Sequence, residues 1–230
     1  MDGSASDYFG AMSASYDSLI RRSVPRYDEM LDRLVDYLPA EPVRVLELGC
    51  GSGNLSLLLS AKFPAAALSF VDGSSEMVSL TRSRLAEVRD TSARGDEFIS
   101  SKFEQLSLPK GSFDLVVSSI SLHHVEDKGL LYRSIHTFLR PGGRFCFADQ
   151  IRGEPESNHQ LNWRRWLDFC GQPEHCSPEE IRSLLDHAAA HDHYTMLSDH
   201  IALMTGARFS EIDCVWRNLM WGIITATSRY

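Results

Sequence analysis

Long hydrophobic runs are missing from this sequence: no apolar stretch reaches the roughly 18 residues that a membrane-spanning helix needs, so no membrane partner is expected. The opening segment MDGSASDYFGAMSASYD has no basic stretch followed by an apolar one, and is read as something other than a secretory signal. Cysteine is scarce. There are five, an odd number without paired spacing, which speaks for reduced thiols in the cytoplasm rather than a disulfide scaffold. Positive charge is in deficit, with 23 Lys and Arg against 31 Asp and Glu and a formal net charge of -8. That excludes a global basic footprint for nucleic acid, although Arg21, Arg22 and Arg26, and later Arg164 and Arg165, cluster locally. Internal repeats and low-complexity tracts are also lacking. What remains is ordinary globular composition, 43% hydrophobic and 23% charged, in 230 residues that suffice for one α/β domain. A homodimer is compatible with such a chain.

Residues 1–42 read as a helical cover. Tyr27, Met30, Leu31, Leu34, Val35 and Leu38 recur at i, i+3, i+4, i+7 and i+8, the stripe of a helix lying on something, and Pro39 and Pro42 end it. From 43 to 149 the pattern alternates. Short apolar runs at 43–48, 67–72, 113–119 and 143–149 are separated by helical segments that include 54–62, 75–88 and 128–139. Strands spaced by helices imply a parallel sheet covered on both faces and wound in right-handed units. The Pro141-Gly142-Gly143 turn predicts a break before the last of these runs. Residues 150–207 read as a helical insertion, polar and rich in Trp and His up to about 195. Ser177-Pro178-Glu179-Glu180 starts a helix within it, and another near 196–205 ends at Gly206. Residues 208–230 close the chain with two strands paired around Arg217-Asn218.

The strongest motif is Glu47-Leu48-Gly49-Cys50-Gly51-Ser52-Gly53, directly after an apolar strand and directly before a helix. Its glycines let the backbone turn sharply and approach a ligand closely, at the sheet edge where open α/β folds bind ligands. Asp72 ends the second strand, where an acidic side chain can grip ribose hydroxyls. A phosphate loop would need a Lys that is absent here. A dinucleotide fingerprint would need a third glycine where Ser56 stands. A nucleoside cofactor without phosphates fits better.

Residues 43–149 resemble the core of class I S-adenosylmethionine (SAM)-dependent methyltransferases. The landmarks V-L-E-L-G-C-G-S-G, F-V-D-G-S-S-E-M, F-D-L-V-V-S-S-I-S-L-H-H-V and L-R-P-G-G-R-F follow in order, across about half the chain. The resemblance implies a Rossmann-like fold with a mostly parallel seven-stranded sheet and a C-terminal antiparallel hairpin. It also implies SAM as cofactor and methyl transfer to a small molecule. Glu47, Gly49, Cys50 and Gly51 would lie along the methionine portion, Asp72 on the ribose, Gly73 and Met77 against the adenine, and Ser119 toward the amino-acid moiety. The acidic residue that the family places after the third strand is replaced by Lys102, with Phe103 beside it supplying its backbone N–H. Residues 20–27, I-R-R-S-V-P-R-Y, are similar to the segment preceding the core in carboxy-SAM synthases, which implies a cofactor contact for Tyr27. It also leaves a carboxy-SAM synthase, or a non-catalytic SAM-binding protein, as alternatives. The arginine such a synthase uses for its carboxylate is missing between His200 and Gly206, its counted position falling at Leu203.

His123 and His124, just past the fourth strand, are placed for a general base, although a structural role bonding a loop carbonyl is the slightly favoured reading of the pair; of the two, His123 is the candidate base. His187, His191 and His193 have a spacing that could supply three zinc ligands. Asp186, Asp192 and Asp199 nearby suit a solvated helix end instead, and no metal is expected. Cys170 and Cys176 lack zinc-ligand spacing, and Cys50 and Cys214 read as packing residues. Trp163, Trp166 and Phe169 fall at helical spacing, equally suited to core and to an acceptor pocket beneath a mobile lid.

Overall fold

The computed structural model describes residues 16–229. The readings made for the first fifteen residues lie outside the described residues.

Two helices cover the sheet first, α1 (Tyr16–Ser23) and α2 (Tyr27–Asp36), separated by Arg26 in the left-handed region at φ 61. The predicted apolar stripe is the buried face of α2, with Met30, Leu31 and Leu34 at 3% exposure or less. The core then alternates: β1 (Arg44–Leu48), α3 (Asn54–Lys62), β2 (Ala67–Asp72), α4 (Ser75–Ala86), β3 (Glu97–Ser100), β4 (Phe113–Ser119), α5 (Lys128–Phe138) and β5 (Leu139–Arg152). After it come α6 (Glu156–Cys170), α7 (Pro178–His191), β6 (Thr195–Met196), α8 (Leu197–Gly206), β7 (Phe209–Asn218) and β8 (Trp221–Ser228).

The sheet order is β3-β2-β1-β4-β5-β8-β7, with β1 to β5 parallel and the last two antiparallel. Alternation along each strand splits the core between its faces. Val45, Leu115 and Val117 face α1 to α4 and α6, whereas Leu46, Leu48 and Val116 face α5 and α8. The crossover connections reverse direction between β1 and β4, and there the carboxyl ends open a crevice.

Three local expectations change. The Pro141-Gly142-Gly143 break is absorbed as a bulge inside one long β5, where pairing jumps from Phe113–Leu139 to Leu115–Arg144 and Gly142 takes φ 76. The closing hairpin turns at Leu219-Met220, two residues later than expected, with Leu219 at φ 52. The helical insertion also contains a strand: the two-residue β6 pairs with the far end of β5, Ile151 to Thr195 and Arg152 to Met196. Helix α7 starts as its sequence dictates, Ser177 and Glu180 forming a reciprocal capping box.

Candidate active site

The loop after β1 is shaped by its own hydrogen bonds. The N–H groups of Gly49 and Cys50 both donate to the Val71 carbonyl, at 2.8 and 3.0 Å, which turns the chain across the end of β2. Gly49 sits at φ +74, and a Cβ there would lie 2.2 Å from the Ser121 hydroxyl oxygen. Only glycine lets the β1 and β4 loops close in this way. Asp72 completes the turn. One of its oxygens accepts from the Gly51 N–H at 2.9 Å, the other from the Ser74 N–H at 2.9 Å. Burial pushes its carboxyl above the ordinary value, and the backbone donors partly counter that.

These loops wall a cavity of about 300 Å³, within the usual range for small-molecule sites. Tyr27, Glu47, Gly49, Cys50, Gly51, Asp72, Gly73, Met77, Phe103 and Ser119 all line it. His123 does not. Its ring is 5% exposed and lines a smaller neighbouring cavity of about 70 Å³, which shares Tyr16, Ile120 and His124 with the larger one.

Glu47 Oε1 and Ser119 Oγ, both buried in the larger cavity, lack a hydrogen-bond partner among the described residues. The other Glu47 oxygen accepts from Ser56 Oγ at 2.7 Å. Burial raises the Glu47 carboxyl to about 8, against the pull of that hydroxyl. A half-satisfied buried carboxyl that shares its cavity with an unmatched hydroxyl suits a cationic ligand.

Tyr27 is 7% exposed, its hydroxyl accepts from Asn54 Nδ2 at 3.2 Å, and burial raises it to about 12. Residues that sequence reasoning missed tie α1 onto the glycine loop. Asp17 accepts from Ser52 Oγ and Asn54 Nδ2, and pairs with Arg84 at 2.7 Å. Glu104 was missed as well. It lines the cavity beside Lys102, two residues beyond the register in which an acid was sought. Ile120 adopts φ 49, a strained geometry for a β-branched residue, held by its N–H on the Ala148 carbonyl at 2.8 Å.

Around the smaller cavity the polar groups interlock. His123 Nδ1 meets Asp149 Oδ1 at 2.5 Å, while Asp149 Oδ2 accepts the His123 backbone N–H at 3.0 Å. Burial opposes charge on His123, yet Asp149 and Asp192 hold its pKa above the ordinary value. Asp192, expected to be solvated, is instead only 4% exposed. Burial opposes its ionisation too, but His124, His123 and Tyr194 hold it down at about 2. The correction has a simple cause: Asp192 caps α7 in extended conformation and turns under the helix, where Tyr194 donates to it at 2.6 Å. His191 and His193 line the larger cavity and His187 the smaller, so the three do not converge as one ligand set.

The aromatic helix serves packing and pocket together. Trp166 is 5% exposed, donates from Nε1 to the Ser23 carbonyl at 2.8 Å, meets Trp221 edge-on, and borders the smaller cavity. Phe169 stacks on His175, outside both cavities.

Comparison with known proteins agrees with this geometry. Residues 45–143 match the sequence model of a family described as a methyltransferase domain. A malonyl-[acyl-carrier protein] O-methyltransferase of Magnetococcus marinus is 30% identical over 172 residues, covering 74% of this chain and 58% of that protein. A demethylmenaquinone methyltransferase of Thermus thermophilus is 28% identical over 164 residues, covering 64% of this chain and 72% of that protein. The chain spans about half the length of the curated relatives it matches first. Among solved structures, phosphoethanolamine N-methyltransferase 2 of Haemonchus contortus in complex with SAM superposes with a TM-score of 0.71 at 15% identity. That match covers 98% of this chain and 59% of that one. Sheet order, glycine loop and sequence agree in making residues 45–143 a methyltransferase domain of the class I SAM-dependent type.

Proposed function

We propose that this chain binds SAM in the larger cavity and transfers its methyl group to a small molecule whose reacting end enters the smaller one. The observation that carries the reading is the pair of unsatisfied buried groups, Glu47 Oε1 and Ser119 Oγ, facing a cavity walled by the glycine loop and Asp72. Those donors and acceptors fit an amino-acid moiety with a ribose next to it. Glu47 and Ser119 would hold the ammonium end, Asp72 the ribose hydroxyls through its remaining lone pairs, and Met77 and Phe103 the adenine faces. Glu104 offers the acid that Lys102 does not.

Bound there, SAM supplies an electrophilic methyl group on a sulfonium. The protein's share is alignment and exclusion of water, the main catalytic resources for an in-line displacement. Ile120 and His124 line both cavities and so stand where donor and acceptor would meet. His123 lies on the acceptor side with Nδ1 committed to Asp149, leaving Nε2 toward Asp192. Relatives named malonyl-[acyl-carrier protein] O-methyltransferase methylate an oxygen by their name, and an oxygen acceptor suits a cavity bordered by imidazoles. Residues 150–207 would shape the acceptor side of what we read as one domain, working in the cytoplasm.

The carboxy-SAM synthase alternative is disfavoured by Leu203. It sits on the outer side of α8 at 38% exposure, against Gly129 of α5, and borders neither cavity. Mass spectrometry of the cofactor retained on purification tests the choice. SAM or S-adenosylhomocysteine supports transfer, and carboxy-SAM refutes it.

A further inference from the structure

Asp192 Oδ1 occupies an unusual place. It is buried and lies among three imidazole nitrogens. His124 Nδ1 is 3.1 Å away, His123 Nε2 3.7 Å and His187 Nε2 3.9 Å. One ligand atom from each of His123, His124 and Asp192 falls within 4.8 Å of the other two. Ligand atoms around a tetrahedral zinc, each about 2.0–2.2 Å from the metal, stand roughly 3.3 Å apart. The distances from Asp192 Oδ1 to His124 Nδ1 and His123 Nε2 bracket that value.

We propose that His123 Nε2, His124 Nδ1 and Asp192 Oδ1 form a binding site for one zinc-class divalent cation. All three residues line the smaller cavity, so the ion's remaining position is open to whatever enters there, with His187 at its margin.

The surroundings are those of a built metal centre. His123 Nδ1 is held by Asp149, which fixes the tautomer that presents Nε2, the carboxylate–histidine–metal arrangement. Asp192 Oδ2 is held by the Tyr194 hydroxyl, leaving Oδ1 for the ion. The two ligand segments are laced together. The His193 N–H donates to the His123 carbonyl at 2.8 Å, and the Lys128 ammonium bridges the carbonyls of Val125 and His193. Two buried carboxylates, Asp149 and Asp192, outweigh that one ammonium whenever the imidazoles are neutral, the form in which they ligate a cation. Nitrogen and oxygen donors in tetrahedral spacing suit zinc or cobalt and are a poor cage for calcium or magnesium, which take oxygens in larger number.

The site is read by metal binding itself, independently of SAM and turnover. The full chain, stripped with chelator, is titrated with Co²⁺ and followed by visible absorption, with X-ray absorption on the zinc form. One equivalent is expected, with tetrahedral d–d bands and a shell of nitrogen and oxygen only. Asp192→Asn and His124→Ala should each weaken binding at least about 100-fold, and Asp149→Asn about 10- to 100-fold, the range for partners that orient a ligand. His136→Ala, on the far side of α5, should bind as wild type. Substoichiometric binding by the wild-type chain, sulfur in the metal shell, or unchanged affinity in the Asp192 and His124 variants would each overturn the proposal. The absorption spectrum of the wild-type protein decides even if a variant fails to fold.

Discussion

If the cofactor's ammonium docks on Glu47, binding must expel a proton. The Glu47 carboxyl is raised to about 8 by burial, so at pH 7 about nine-tenths of the free protein carries it neutral. A cation against Oε1 favours the carboxylate, and the proton leaves as the ligand arrives. Titration calorimetry with S-adenosylhomocysteine at pH 7, in buffers of different ionisation enthalpy, should report release of about 0.9 proton. Between pH 6 and pH 7 affinity should rise about tenfold, because the ionised fraction rises by that factor. Glu47→Gln should flatten both responses. The cofactor-free fold should show the opposite trend with pH. The unfolded carboxyl ionises from about 4.5, whereas the folded one keeps its proton to about 8. Stability is therefore fully present below the first value, falls across that window and is constant above it, by on the order of 5 kcal/mol in total for a shift of this size. Proton release near zero, with unchanged pH dependence in Glu47→Gln, would refute the docking of a cation on this carboxyl.

Three further outcomes follow from contacts at the same loops. Gly49→Ala should cost about 1–2 kcal/mol for its left-handed backbone and also displace Ser121, cutting cofactor affinity more than tenfold; pairing it with Ser121→Gly should recover part of that affinity by calorimetry. Asp72→Ala strips acceptors from the Gly51 and Ser74 N–H groups, so urea unfolding should show about 2–4 kcal/mol lost, with cofactor affinity reduced by about 2–3 kcal/mol in the folded variant; unchanged affinity would remove Asp72 from the ribose. Trp166→Ala should destabilise by about 3–5 kcal/mol in urea, and Trp166→Phe by only about 1 kcal/mol for the lost bond to Ser23.

What could be read from the sequence was what is local along the chain. The glycine loop and Asp72 directly follow or end short apolar runs, and such runs between turn signals mark strands along the chain. The capping box of α7 was legible for the same reason. Contacts assembled from distant segments were not. Asp17 and Arg84 are 67 residues apart, and nothing in either neighbourhood signals their pairing across the glycine loop. Asp192 was misread because its neighbours are polar; the turn at the end of α7 that buries it depends on Tyr194 and on the backbone bond from His193 to His123. Trp166 posed a choice between core and acceptor pocket; the fold packs it on Trp221 and sets it at the border of the smaller cavity.

Methyl transfer itself is tested most directly with methyl-labelled SAM, the purified chain and a low-molecular-mass metabolite extract. Label should pass into an acid-soluble small molecule, with one S-adenosylhomocysteine formed for each methyl transferred and none in the absence of extract. Saturable binding of SAM without any transfer of label, or label recovered as carboxy-SAM, would contradict it.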